Sequence, residues 1–460
     1  MAETTNDSNG AAFYGTIAHS TSHTKLQVFD QALLVIDRNG RVALLDPEIP
    51  RAKVSSRLSE LGLDHCSVTD LARGQFIIPG FVDTHNHAPQ WMHRGSGQGM
   101  QILDWLEEIA FPNEAKFRDV EYARKVYSAV VNGMLRQGVT TASYYGSLHG
   151  EATRVLADVC FEKGQRALVG KCNMNRNSPE YYRDASAAQS LQVTRDCIAH
   201  IKGMDPDGQL VRPVLTPRFA ISCEDQLLAG LGKLAAEYPD MAIQTHFNES
   251  EQENSTTLSI FESFSNEADL YDHFGLLTSR SILAHCTLMT PYEMDRVKEL
   301  GCNIAHCPTA NMTVGGGFMA APIREFLERG VEVGLGTDSG GGYSSSMLNA
   351  MRHALITSFA RDFIFAKEGG ASLSLDQVFY LATLGGARVV GFGSEIGDFT
   401  MGKQFDALLI DMTSTRGGVN TPLEPDESSR STIEKFIMTG DDRNITAVYI
   451  KGKAVSIKEL

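Results

Sequence analysis

Eight short runs of β-prone residues alternate with longer stretches of helical periodicity, and this alternation constrains the fold more than any other feature of the chain. The intervals include patterns such as EYARKVYSAVVNGMLRQG and CEDQLLAGLGKLAAEYP. Alternating strands and helices are typical of α/β folds, and eight such units predict a (β/α)8 barrel. The runs are FIIPGFVDTH (76–85), GVTTASYYG (138–146), RALVGKCNM (166–174), LVRPVLTPRF (210–219), MAIQTHFNE (241–249), SILAHCTL (281–288), CNIAHCPT (302–309) and VEVGLGTD (331–338).

The ends of the chain are β-rich without this alternation. The chain has 460 residues. Length alone would suggest about three domains, although a single barrel can contain about 250 residues or more. We predict a disordered N-terminus over 1–12, a small β-domain formed by 13–78 together with 396–460, and the barrel over 79–395.

Two turns are predicted inside the terminal segments. ALLVIDRNGRVALLD indicates a hairpin in which Asn39 and Gly40 supply the left-handed turn. GDFTMGKQFDALLID indicates a pair of strands with a turn at Gly402 and Lys403. We expect the N- and C-terminal segments to pair with each other beside the barrel.

Composition excludes some classes of partner. The formal net charge is −15, which disfavours nucleic acid and anionic membranes, because both require basic patches. The eight cysteines form no C-x-x-C pair and indicate reduced core thiols. The N-terminus lacks a signal-peptide pattern and no run approaches roughly 18 apolar residues. We therefore expect a cytoplasmic protein.

Polar side chains collect where the predicted barrel strands end, which is where barrel active sites lie. Alternate residues of a strand point to the same side, so His85 and His87 both face the barrel mouth. The residues delivered there are His85 and His87 by the first strand, Arg218 and Phe219 by the fourth, His246 and Glu249 by the fifth, His285 by the sixth, His306 by the seventh and Asp338 by the eighth.

This set predicts a metal site. His85 and His87 can share one ion, and a third imidazole from the fifth strand with a carboxylate from the eighth would complete it. Three imidazoles and a carboxylate with an open position are typical of a catalytic metal rather than a structural one.

Each of these residues also has a plainer explanation. A lone histidine at a strand end is often a hydrogen-bonded core residue, and Asp338 could simply cap a turn. For His306 a structural role is favoured over a role in the site. His93 and His149 lie in predicted loops, where exposure to solvent or a place at the rim is favoured. The joint pattern, with candidates at one end of separate strands, favours the metal site.

The motifs around these residues resemble those of the amidohydrolase superfamily and, within it, of the guanine deaminases. The motifs are PGFVDTHNHAPQ, TPRFAISC, QTHFNESEQEN, LAHCTL, IAHCPTAN, GLGTDSGGGYSSSML, LATLGGA and FIMTGDDRNITAVYIKGKAV. The resemblance extends over nearly the whole chain, from YGTIAHS to KGKAV.

The resemblance implies a distorted (β/α)8 barrel with a β-sandwich built from both termini, one Zn²⁺ per subunit and a homodimer. The fourth strand ends in LTPRF without the lysine that bridges two metals in some relatives, which favours a single ion. The implied metal ligands are His85, His87, His246 and Asp338, the implied catalytic residues are Glu249, His285 and Asp338, and the implied ring contacts are Gln90, Arg218 and Phe219.

The activity that the resemblance implies is hydrolytic deamination of guanine to xanthine and ammonia, a step of purine catabolism. Glu249 is expected to shuttle a proton from the attacking water to the ring, while His285 and Asp338 orient that water. Gln90 offers a donor and an acceptor, Arg218 donates to a carbonyl or ring nitrogen, and Phe219 stacks. A salt bridge at the barrel rim is the alternative for Arg218.

Two segments depart from the family pattern, 91–101 (WMHRGSGQGMQ) and 309–317, and both are expected to line or cover the pocket. They leave open a sister aminohydrolase or chlorohydrolase that acts on another guanine-like or triazine heterocycle. The sequence also leaves open the roles of His93, Arg94 and His306 and the choice between zinc and iron. A non-catalytic binding or scaffold homologue is a further alternative, whereas the H-x-E and P-C-x-x-C signature of cytidine-type deaminases is missing.

Overall fold

The computed structural model describes residues 10–314, 319–365, 372–414 and 422–457. Numbered in chain order, the strands are β1 (Ala11–Ser22), β2 (Lys25–Ile36), β3 (Val42–Asp46), β4 (Ser67–Asp70), β5 (Gln75–Pro79), β6 (Phe81–His87), β7 (Val139–Tyr145), β8 (Arg166–Gly170), β9 (Cys172–Asn173), β10 (Val211–Pro217), β11 (Ala242–Phe247), β12 (Ser281–His285), β13 (Asn303–His306), β14 (Val333–Leu335), β15 (Ala407–Asp411), β16 (Ile445–Ile450) and β17 (Lys453–Ile457).

Most of the connections between barrel strands are helical. The α-helices are α1 (Val54–Glu60), α2 (Ile102–Trp105), α3 (Phe111–Glu114), α4 (Val120–Arg136), α5 (Gly150–Glu162), α6 (Ala187–Met204), α7 (Asp225–Glu237), α8 (Glu251–Ile260), α9 (Glu267–His273), α10 (Pro291–Glu299), α11 (Pro308–Thr313), α12 (Ile323–Glu328), α13 (Met347–Phe365), α14 (Leu375–Ala382), α15 (Leu384–Val389) and α16 (Ser429–Thr439). Single 3-10 turns span Arg51–Lys53, Ala88–His93, Ala115–Arg118, Glu180–Tyr182, Ala220–Ser222 and Asp442–Asn444, and a π-helical turn spans Leu106–Ala110.

The parallel strands form the predicted (β/α)8 barrel. Their order is β6, β7, β8, β10, β11, β12, β13, β14, and the short β9 also pairs with β10. At the seam between the last and first strands, the amide of Asp338 donates to the carbonyl oxygen of His85 at 2.9 Å. The side chain of Asp83 reinforces this seam, because it accepts from the hydroxyl of Thr337 at 2.6 Å and from its amide at 2.9 Å.

The first predicted run contains two strands rather than one. β5 pairs with β1 and β15 in the terminal sheet, whereas β6 begins the barrel, and Gly80 lies between them. A Cβ atom at Gly80 would lie 2.2 Å from the Thr140 hydroxyl oxygen, so only glycine fits at this change of sheet. The apolar run continues through the junction because both strands are buried, and periodicity alone could not locate the break.

The two termini pair into one sheet, as predicted. Its order is β17, β16, β15, β5, β1, β2, β3, and β4 also pairs with β1. β1 pairs with β4 over residues 11–14 and with β5 at Thr16 and Ile17, so β4 and β5 follow one another beside β1. The stacked rings of Phe13 and Phe405 are 5.7 Å apart. The predicted hairpin is β2–β3, with Gly40 in the left-handed region at φ 74°.

Three details near the termini differ from the sequence analysis or stay untested. β1 begins at Ala11, earlier than the predicted start at 13, and residues 1–9 lie outside the described residues. The predicted strand pair in GDFTMGKQFDALLID is wrong, because only β15 forms. The turn at Gly402 instead bonds to β3, with the amide of Gly402 donating to the carbonyl of Val42 at 2.8 Å. The division of the chain at 79 and 396 stays a prediction.

Buried apolar side chains of the barrel strands and of the surrounding helices form the largest hydrophobic core cluster among the described residues. Helix α4, whose N-cap Asp119 accepts from two backbone amides, buries Val126, Val130 and Met134 along one face. All eight cysteines are buried, as predicted for core thiols. Among the described residues, none of the helices combines the length and the apolar character that crossing a membrane requires.

Candidate active site

Four of the predicted metal ligands meet at the carboxyl end of the barrel. His85 and His87 end β6, His246 lies on β11, and Asp338 follows β14. The Asp338 Oδ1 atom lies 3.2 Å from His85 Nε2 and 3.6 Å from His87 Nε2. His85, His87 and Asp338 form one group able to hold a metal ion, and His85 also belongs to a second such group with His246 and His285.

The hydrogen bonds of His246 determine which of its ring nitrogens can bind an ion. Its Nδ1 lies 2.6 Å from the carbonyl oxygen of Arg218, so Nδ1 carries the proton and Nε2 presents a lone pair. That Nε2 lies 3.1 Å from Nε2 of His87. Two ring nitrogens this close can share either a proton or a cation. Together with the grouping of the other ligand atoms, the residues present fit a metal ion.

Burial keeps these imidazoles neutral, which is the form that binds metal. Desolvation lowers the pKa values of His85, His87 and His246 well below the usual histidine range, and the positive charge of Arg218 lowers them further. Burial also raises the pKa of Asp338. A bound cation would offset the cost of burying the ionised carboxylate.

The strand ends bear backbone strain beside these side chains. Asn248, His285 and Asp338 have φ values of 46°, 73° and 46°. Residues other than glycine adopt this left-handed region at a cost of about 1–3 kcal/mol, and such residues cluster at functional sites. The strained turns direct His285 and Asp338 into the barrel mouth instead of continuing the strands.

His285 lies beside the predicted ligands. Its Nδ1 is 2.8 Å from Oδ1 of Asn311, which fixes the proton on Nδ1. Its Nε2 faces Oε1 of Glu249 at 3.6 Å. Asn311 lies in the motif IAHCPTAN, but no role was predicted for it. The signal was an amide placed close after the seventh strand.

Glu249 lies in a setting that favours its protonated form. Burial raises the pKa of Glu249 well above its usual range, and the negative charges of Asp338 and Glu253 raise it further. Its backbone amide donates to Glu253 Oε2 at 3.2 Å, and its carbonyl accepts from the Thr287 hydroxyl at 2.6 Å. A carboxyl group that is held rigidly and whose pKa is raised is suited to accepting and returning a proton.

A small pocket adjoins the metal group. All three predicted ring contacts line it. Ile102, Trp105 and Leu106 add apolar surface from α2 and the following π-helical turn, which sequence reasoning missed. The lining residues are His87, Gln90, Ile102, Trp105, Leu106, Arg218, Phe219, His246, Glu249, Asp338 and Gly341.

Glu114 connects the polar side chains of this pocket and was also missed. The carboxylate Oε2 accepts from Arg218 Nη1 at 2.7 Å and from the Tyr182 hydroxyl at 2.7 Å. Oε1 accepts from Arg218 Nη2 at 3.0 Å and from Gln90 Nε2 at 2.7 Å. Arg218 therefore forms a salt bridge, which was the alternative role predicted for it. It also lines the pocket.

The segment 91–101 was expected to line or cover the pocket, and none of its residues is among the lining residues. Arg94 lies over the Trp91 ring at 3.4 Å and donates to the Ser345 hydroxyl at 2.6 Å. The His93 ring packs 5.8 Å from Trp105. In the other unusual segment, Thr309 bonds to a neighbouring helix, and residues 315–317 lie outside the described residues.

The remaining histidines lie apart from the two metal-binding groups of the described residues. His306 is buried at the end of β13, where desolvation lowers its pKa to about 3. His149 is half-buried at the start of α5, with its ring 5.7 Å from that of Tyr182. The structure thus places both at the barrel end and outside the candidate metal site.

The barrel, the terminal sheet and the cluster of imidazoles with a carboxylate define the class of protein. The model of the amidohydrolase family matches residues 76–455, and the chain belongs to this family. The motifs had predicted this membership. Within the family the chain belongs with the guanine deaminases, as the following similarities show.

The chain is 38% identical over 444 residues to the probable guanine deaminase of Schizosaccharomyces pombe, covering 96% of this chain and 83% of that protein. It is 36% identical over 451 residues to the guanine deaminase of Mus musculus, covering 96% of each. Among solved structures, the guanine deaminase from C. acetobutylicum with guanine bound in the active site has a TM-score of 0.86 and 30% identity, over 97% of this chain and 100% of that chain.

Proposed function

We propose that this chain hydrolyses guanine to xanthine and ammonia. One observation carries the proposal, namely that a single pocket is lined by metal-binding, proton-transferring and ring-binding side chains at once. The similarity to guanine deaminases, one of which has guanine bound in its active site, supports guanine as the substrate.

The proposed metal is one Zn²⁺ per subunit, held by His85, His87, His246 and Asp338. Imidazole and carboxylate donors suit zinc and also iron, so metal analysis of the purified protein is the test of identity. When bound, zinc supplies Lewis acidity that lowers the pKa of water toward about 7. Analysis that finds iron, or close to no metal, would contradict this assignment.

The proposed roles of the side chains follow from their positions. Glu249 takes a proton from the attacking water and delivers it to the ring nitrogen next to C2, while His285 and Asp338 orient that water. The new C2–O bond forms and the C2–N bond to the amino group breaks. One proton of the water stays on the ring nitrogen of xanthine, and the other leaves with ammonia. Phe219 stacks on the ring, and Gln90 and Arg218 hold its polar edge.

The test is ammonia release by the purified, zinc-loaded protein. Guanine, 8-oxoguanine, isocytosine, adenine, cytosine and an amino-triazine are offered separately, and xanthine is followed by its absorbance. We expect guanine to be turned over fastest. Poor turnover of guanine by a zinc-loaded sample, with fast turnover of another ring, would replace the proposal by a sister aminohydrolase.

The alternatives have less support than the sequence suggested. A different heterocycle was favoured by the unusual segment 91–101, none of whose residues lines the pocket. A non-catalytic scaffold would tolerate loss of site residues, and here all the predicted ones lie together in the barrel mouth. The substrate panel tests the first alternative and metal content tests the second.

The proposed setting is the cytoplasm, in purine catabolism, with the protein as a homodimer. The dimer follows from the resemblance to guanine deaminases, and sedimentation of the purified protein is its test. A single species of 50.2 kDa would contradict it. Imaging of the tagged protein in cells tests the compartment.

A further inference from the structure

Glu114 accepts hydrogen bonds at every position that a carboxylate offers. Two donors reach each oxygen, and a carboxylate has about four lone-pair sites. Its side chain is wholly buried, and the positive charge of Arg218 overcomes the effect of burial and holds the pKa of Glu114 below its usual range. Glu114 is therefore an anion with no capacity left for a ligand, and it can affect the pocket only through its neighbours.

The first neighbour is Gln90. An ionised carboxylate only accepts hydrogen bonds, so the amide nitrogen of Gln90 must face Glu114, and the reverse orientation would set two acceptors against each other. The amide oxygen, Oε1, then points away from Glu114. It is buried and has no hydrogen-bond partner within the described part of the chain. Gly340 packs against this oxygen so closely that a Cβ there would lie 2.1 Å from it.

The second neighbour is Arg218. Two of the five N–H groups of its guanidinium bind Glu114, and the side chain lines the pocket beside Gln90. Gln90 and Arg218 both line the pocket, so a carbonyl acceptor and a guanidinium donor lie side by side in its wall. A ring edge with an N–H group beside a carbonyl matches this pair, whereas an edge with a bare ring nitrogen beside an amino group opposes it.

We propose that Glu114 is a positioning residue that sets the hydrogen-bonding polarity of the pocket, through Gln90 and Arg218, in favour of rings with a lactam edge. The inference rests on the proposed function, since it concerns the same pocket. Guanine has this edge at N1–H and C6=O. Adenine has the opposite edge, so Glu114 excludes adenine without touching it.

The test compares two rings of equal size that both lack the amino group at C2. Hypoxanthine has the lactam edge and adenine the reversed edge, and binding of each to the zinc-loaded protein is measured by calorimetry. In the unmodified protein we expect hypoxanthine to bind about 100-fold more tightly, because adenine would leave buried polar groups unpaired. In Glu114→Gln, whose amide tolerates either orientation of Gln90, we expect this ratio to fall about tenfold or more.

The matched control is Glu293→Gln, another buried glutamate, which bonds to Asn248 and Thr290 outside the pocket. It should leave the ratio unchanged. A ratio that Glu114→Gln does not alter, or that Glu293→Gln alters equally, would overturn the proposal. Because the readout is binding, it is independent of whether guanine is deaminated.

A second variant covers the case in which Glu114→Gln does not fold. Gln90→Met removes the oriented amide and leaves Glu114 and Arg218 paired. The inference requires that it also reduces the preference for hypoxanthine about tenfold. An undiminished preference in Gln90→Met, or equal binding of the two rings by the unmodified protein, would refute the assigned polarity.

Discussion

Arg218 and Glu114 form two parallel hydrogen bonds, of 2.7 and 3.0 Å, with exposed side-chain fractions of only 2% and 0%. They lie 104 residues apart in the chain. Breaking such a buried pair by removing one partner costs about 3–5 kcal/mol, because the other charge is left uncompensated. The pair therefore supports the part of the pocket wall that Arg218 lines.

Arg218→Lys should weaken substrate binding more than turnover. A lysine ammonium keeps the charge but cannot bridge both oxygens of Glu114 while also reaching the pocket. We expect KM for guanine to rise about 10- to 100-fold, with unchanged zinc content. The control is Arg195→Lys, which alters a two-bonded pair with Glu237 on the surface. Equal kinetics in the two variants would contradict a role for Arg218 in the pocket.

Glu249→Gln should bind zinc normally and lose turnover. The amide is close in shape to the carboxyl group but cannot accept and release a proton. We expect kcat to fall about 10²- to 10⁴-fold, measured as ammonia release from guanine. Glu251→Gln, at an exposed position nearby, is the control. Full activity in Glu249→Gln would exclude the assigned proton transfer.

Removal of the metal should abolish activity reversibly. Chelation should reduce ammonia release to background, and added Zn²⁺ should restore it. His246→Ala should lower the zinc content to well below one ion per chain, since ligand loss weakens binding strongly. His23→Ala, in a turn of the terminal sheet, should retain both metal and activity. Normal zinc content in His246→Ala would remove this residue from the ligand set.

His93 should make the fold less stable in mild acid. Burial lowers the pKa of His93 to about 4, whereas the unfolded chain has a pKa of about 6.5. As the pH falls below about 6.5, the unfolded state takes up the proton first, so the free energy of unfolding decreases until about pH 4. At about pH 5 the loss attributable to His93 is about 2 kcal/mol.

Replacement by phenylalanine isolates this effect, because His93→Phe keeps a ring against Trp105 without a titrating nitrogen. Urea unfolding of metal-stripped samples at about pH 7 and about pH 5 should show a smaller acid loss in His93→Phe than in the unmodified protein, by about 2 kcal/mol. The same acid loss in both proteins would show that His93 does not contribute to it.

Thr337→Val should loosen the barrel seam. The hydroxyl of Thr337 donates to buried Asp83, and its loss removes one of the donors that satisfy this carboxylate. We expect the free energy of unfolding to fall by about 1–3 kcal/mol. Thr400→Val, an exposed threonine in a turn, should change it by less than about 0.5 kcal/mol. Unfolding in urea measures both, and an unaffected Thr337→Val would argue against the seam contact.

The metal group was predictable from sequence because its members follow local rules. Each lies at the end of a strand that β-prone residues define, and alternation along β6 places His85 and His87 on one side. Glu114 was not predictable in this way. It lies in a short helix in the long connection after β6, and its partner could not be named before the barrel was closed. The junction at Gly80 was not predicted for a related reason. The strands on both sides of it are buried, so the sequence lacks the alternation of apolar and polar residues that would show where one strand ends.

The sequence by itself determined the order of strands and helices, the chemistry at the strand ends and the family, because these depend on local periodicity and on side-chain type. Only the tertiary structure decided which donors meet which acceptors. The orientation of Gln90 and the saturation of Glu114 both depend on contacts between distant segments. Such contacts form only when the barrel closes and excludes water, so that each buried polar group must find its partner within the folded chain.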